Sequence, residues 1–170
     1  AFLQKLFALG GVGPLRLLGQ VYDGQPFVAP ERAACLVSPA GLNECVRALA
    51  GSGLHESEEA LALGLRIVER LKVLCDRRTE REGLAFLPVQ AEDRQAVRRL
   101  AELDLLESPG AARAVLGADT TNHEPQYTPG VSVAASAPTS PMDRVRIEGR
   151  LHDWIEVMVP VPLALPDTET

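Results

Sequence analysis

Ala33-Ala34-Cys35-Leu36-Val37-Ser38-Pro39-Ala40-Gly41-Leu42-Asn43-Glu44-Cys45-Val46 is the stretch on which the fold of this chain is decided. The short apolar run Ala33 to Val37 reads as a buried strand, and Ser38-Pro39 halts it. From Gly41 the spacing changes: Leu42, Cys45, Val46 and Leu49 recur at intervals of three and four until Gly51-Ser52-Gly53 breaks the pattern. Strand, tight turn, helix is the unit.

The unit repeats downstream. Ser57 is placed to cap a long helix whose first turn holds Glu58 and Glu59, and Leu61, Leu65, Val68, Leu71 and Cys75 form its stripe. Gly83 separates it from Leu84-Ala85-Phe86-Leu87, a second buried strand, and 91–103 has helical spacing through Val97, Leu100 and Ala101. Residues 104–126 read as loop, with one or two helical turns over Ala111 to Leu116. Tyr127 begins a β-branched stretch with Val131 and Val133, Ser140-Pro141 opens a helix to about Glu148, and Trp154 to Val159 suits a last strand. Upstream, Phe2, Leu3, Leu6, Phe7 and Leu9 predict a helix stopped by Gly10, Gly11, Gly13 and Pro14; a second covers Leu15 to Val21, and Tyr22 to Pro26 is a turn. Strands alternating with helices indicate an α/β class with a parallel sheet. About four strands are too few to close a barrel, so the unit is a small open sheet or part of a larger barrel.

Composition narrows the function. A chain of 170 residues with 46% apolar and 24% charged residues has the material for one folded domain. A net charge of −6 argues against neutralising a phosphate backbone, so nucleic acid is not an expected partner. Arginine nevertheless outnumbers lysine, present only as Lys5 and Lys72, and guanidinium forks suit local anion contacts. The apolar runs fall far short of the roughly 20 residues needed to span a bilayer, and a cytoplasmic protein without a membrane partner is expected. Cys35, Cys45 and Cys75 form no CxxC pair; in a strand and on apolar helical stripes they read as small buried hydrophobes. Helical sequence from Phe2 onward suggests a section of something longer.

Three stretches, in order, resemble the anaerobic (class III, glycyl-radical) ribonucleoside-triphosphate reductase family. Leu36 to Glu44 is similar to the family's strand running into a Gly-Leu-x-Glu turn and helix, and Leu49 to Ala60 to its glycine break and next helix start. Val89-Gln90-Ala91-Glu92 stands where the family has Thr-Pro-x-Glu, keeping the Glu and losing the Thr-Pro. Tyr127-Thr128-Pro129-Gly130 resembles a Tyr-Thr-Asn-Ser strand with its second half altered, followed by the proline-bearing helix entry at Ser140-Pro141. The resemblance implies a ten-stranded α/β barrel of which residues 1–158 are a late section, with 159–170 an extended Pro-rich acidic tail. It also implies radical reduction of ribonucleoside triphosphates, a nucleotide ligand, and a partner that is either the rest of the reductase chain or a second copy. The family's glycyl-radical motif, finger-loop cysteine and zinc cysteines are unrecognisable in this sequence, so no cofactor is expected in this chain and those groups belong to missing parts of the family protein.

A strand-to-helix turn binds phosphate through free N–H groups and the helix dipole. The candidate substrate-binding residues are therefore Gly41, Asn43, Glu44, Ala91 and Glu92, joined through the resemblance by Tyr127 and Thr128. The plainer reading of Glu44 and Glu92 is dipole stabilisation in a first turn. His55, His123 and His152 have no partner at ligand spacing, and Gly10 to Gly13 is a helix stop, not a nucleotide loop. A shortened, non-catalytic relative acting as a binding or assembly module competes with the enzyme section, and an unrelated small α/β domain is the third reading.

Overall fold

The computed structural model describes residues 20–26, 33–91, 93–116 and 124–156. A small antiparallel hairpin comes first, β1 (Val21–Tyr22) and β2 (Gln25–Pro26), turning at Asp23-Gly24. Val21, assigned by its spacing to a helix end, is therefore in a strand and Gln20 before it is not helical; residues 15–19 of that expected helix and the helix over Phe2 to Leu9 lie outside the described residues.

The decisive stretch folds as strand, turn and helix: β3 (Ala34–Val37) leads through Gly41 into α1 (Leu42–Ala50). The long helix α2 (Glu58–Glu82) follows, with Ser57 Oγ accepting from the Ala60 N–H as a cap. It outruns the expected Cys75 end because no helix breaker occurs between Cys75 and Gly83. The chain then enters β4 (Ala85–Pro88), which pairs parallel with β3 in the register Cys35 to Phe86 and Leu36 to Leu87. The helical crossover makes that parallel pairing feasible, as the alternation of patterns implied.

α3 (Arg94–Glu107) starts three residues later than its spacing suggested, because Asp93 caps it by accepting from the Ala96 N–H. α4 (Pro109–Leu116) is a full helix where the sequence reads mostly as loop. α5 (Pro141–His152) opens as expected, with Ser140 Oγ capping the Asp143 N–H, and continues a turn beyond Glu148.

Two expected strands do not form among the described residues. Residues 127–133 make one antiparallel bridge, Ala40 to Pro129, and otherwise follow an irregular path. Pro129 cannot donate to a ladder and Gly130 sits at φ 62, so the β-branched residues nearby cannot extend the bridge. Trp154 to Glu156 is also not a strand, although Glu156 N–H donates to Pro88 O at 2.9 Å; 157–159 lie outside the described residues.

The core lies where α1, α2 and α5 meet the 131–133 segment. Leu42, Val46, Leu54, Leu61, Val68, Val131, Val133 and Leu151 pack there, with Leu65 and Ile67 half-buried against them. On α1 the buried face is Leu42, Asn43, Glu44 and Val46, while Cys45 and Leu49 are exposed. The expected stripe through Cys45 and Leu49 is thus corrected: hydrogen bonds made by Asn43 and Glu44 rotate those two residues inward. Of the other cysteines, Cys75 is buried as expected and Cys35 is half-buried.

Candidate functional site

The turn between β3 and α1 depends on Gly41. Its φ of 76° is left-handed, and a Cβ there would stand 3.3 Å from the Tyr127 ring, so the chain passes closely under that side chain. The passage is fastened by backbone bonds: Gly41 N–H donates to Thr128 O at 2.8 Å, and Gly130 N–H to Pro39 O at 3.1 Å. Gly41 supplies no side-chain cap, which leaves the first-turn N–H groups of α1 with no partner from their own cap residue.

Glu44 closes the other side. It is 7% exposed, and its carboxylate accepts from Thr128 N–H (3.1 Å), Thr128 Oγ1–H (2.7 Å) and Asn43 Nδ2–H (3.3 Å). Asn43, buried beside it, accepts from Leu54 N–H at 3.1 Å and so ties α1 to the loop before α2. Glu44 is therefore more than a first-turn carboxylate steadying the dipole. It is a buried fastener between α1 and Thr128.

A parallel arrangement occurs at the end of β4. Gln90, 5% exposed, accepts from Val131 N–H at 2.7 Å and donates through Nε2 to Ser132 Oγ at 2.8 Å. A Cβ on Gly130 would collide with the Gln90 carboxamide, so the glycine and the glutamine require each other. Ala91 N–H donates to Ser38 Oγ at 3.2 Å, linking the ends of the two strands. Tyr127 donates its hydroxyl to Asp104 Oδ2 at 2.7 Å, and burial together with that bond pushes its phenol up to about 12.

The structure thus brings Gly41, Asn43, Glu44, Ala91, Tyr127 and Thr128 to the carboxyl ends of β3 and β4; Glu92 lies outside the described residues. Sequence reasoning does not reach the bonding roles of Gln90, Ser132, Gly130, Ser38 and Asp104. Gln90 and Gly130 stand at the departures from the family pattern, and that is the signal the sequence offers for them. Chemically the site presents helix N–H groups, hydroxyls, amides and the carboxylates of Glu44 and Asp104, with no guanidinium or ammonium in the network among the described residues.

Of the three cysteines, Cys35 is half-buried in β3, Cys45 is exposed on α1 and Cys75 is buried on α2. The Cys75 thiol is pushed up, first by desolvation and then by Asp76, which disfavours the thiolate that binds metal. Among the described residues no three His, Cys, Asp or Glu side chains gather as a metal site. His123 lies outside the described residues, and no described helix is long and apolar enough to cross a membrane.

A parallel strand pair joined through a helical crossover, with its carboxyl ends feeding helix N-termini, places the chain in the α/β class. Within that class, residues 35–156 match the model of the family described as anaerobic ribonucleoside-triphosphate reductase, and the chain belongs to that family. No curated protein matches it.

Proposed function

We propose that this chain is a late-barrel section of an anaerobic ribonucleoside-triphosphate reductase, and that the β3–α1 turn with the 127–131 segment holds part of a ribonucleoside triphosphate. The observation that carries this is the convergence of Gly41, Glu44, Ala91, Tyr127 and Thr128 on one edge, beside an α1 first turn without a side-chain cap. Those N–H groups suit phosphate oxygens. The radical-bearing and zinc-bearing parts belong to other segments of the family protein, and the rest of that chain or a second copy is its partner.

One observation favours a second reading, a non-catalytic relative serving as a binding or assembly module. Gln90 and Pro129-Gly130, where the family pattern is altered, bond to each other's segments and close the edge with internal partners. Calorimetric titration tests the first reading. Saturable binding of a ribonucleoside triphosphate, weaker for the unphosphorylated nucleoside, is expected; absence of binding at millimolar ligand would leave the module.

A further inference from the structure

We propose that the cleft between the first turns of α2 and α5 is a second oxyanion site, taking the phosphate group of a small ligand, distinct from the β3–α1 edge. The cleft measures about 360 Å³ and is lined by His55 and Glu58 on one side and by Ser140, Asp143, Arg146 and Arg150 on the other. That volume falls at the lower end of the roughly 300–1,000 Å³ seen for small-molecule pockets. Two helix N-termini open onto it, and each carries a partial positive charge.

Arg146 and Arg150 lie one turn apart on the same face of α5. Arg146 is held by Asp143 at 3.0 Å and Arg150 by Glu58 at 3.4 Å. Those carboxylates are 52% and 84% exposed, and such solvent-screened pairs contribute little. A phosphate presents two oxygens to a guanidinium fork and can displace them.

His55 is the independent mark of a ligand. Its side chain is only 7% exposed, yet Nδ1 has no hydrogen-bond partner, and Nε2 stands 3.9 Å from Glu56 Oε1. A buried ring nitrogen left unpaired is costly, and a small rotation of the ring toward the cleft would let an oxyanion accept its N–H bond. Burial, partly offset by Glu56, also keeps the imidazole below its usual range.

The test follows the His55 ring and the Arg146 and Arg150 side-chain N–H signals by NMR at low salt, titrating inorganic phosphate and, separately, a ribonucleoside triphosphate. Saturable shifts at all three residues are expected, with affinity falling at least tenfold in R146Q/R150Q and rising in Glu58→Gln, where the competing carboxylate is gone. A response to inorganic phosphate marks a free-anion site, and a response to the triphosphate alone marks a phosphorylated ligand. Either supports the proposal. Shifts confined to Gly41 and Thr128 would overturn it while leaving the β3–α1 reading intact; an R146Q/R150Q variant that binds like the parent would also overturn it.

Discussion

At Glu44 a carboxylate in a first helical turn faces inward, because Thr128 offers it an N–H and a hydroxyl across 84 residues of sequence. A glutamine there keeps one acceptor and turns an NH₂ group toward one of these donors. Glu44→Gln is accordingly expected to cost about 1–3 kcal/mol, the usual penalty for leaving a buried polar group unsatisfied, read from denaturant melts beside the parent. A melt within about 0.5 kcal/mol of the parent would return Glu44 to a dipole role. His55 supplies the pH test at the same scale. Desolvation lowers its pKa in the folded chain below 6.5, so the unfolded chain takes up the proton first on acidification. Stability from this group is present above about pH 6.5 and is lost as pH falls toward the lower folded value. His55→Gln should therefore flatten the loss of stability between neutral pH and the acid limb, measured as melting temperature against pH; an unchanged profile would contradict the assignment.

Among the elements, those with strong local signals were legible. The strand-turn-helix at 34–50, the Ser57 cap, the parallel partner near Phe86 and the Ser140-Pro141 entry all follow from periodicity and capping chemistry. What escaped depends on contacts distant in sequence. The inward face of α1 is set by Thr128 and Leu54, and the irregular path of 127–133 by Gln90 and Gly130, none of which an apolar pattern reveals. The site was legible as positions and not as bonds: Gly41, Glu44 and Thr128 were candidates, while the Gln90 fastener needed the fold. The same distinction grades the core. Leu151 on α5 is fully buried, so Leu151→Ala should cost about 2–5 kcal/mol, whereas Leu65, half-buried on α2, should cost less. Equal losses in urea melts would mean that the α2 face is misassigned.

For the whole molecule, the parallel sheet of β3 and β4 has two strands among the described residues, and Leu36 is 64% exposed on it. Open strand edges and uncovered apolar side chains are what natural domains cover. The proposed barrel section would place its remaining strands or a second copy against this face. Since neither a glycyl-radical motif nor a finger-loop cysteine is recognisable in the sequence, residues 1–170 by themselves should reduce no ribonucleotide even with a radical activase and a reductant; deoxyribonucleotide formed by them alone, detected by chromatography, would refute that.

Whether the β3–α1 turn and the 127–131 segment hold a ribonucleoside triphosphate is tested most directly by backbone hydrogen exchange with and without that ligand. The expected result is slowed exchange at Gly41 to Glu44 and at Thr128, Gly130 and Val131, with the largely exposed C-terminal end of α2, 76–82, unchanged; exchange at those positions unaltered by saturating ligand would contradict the assignment.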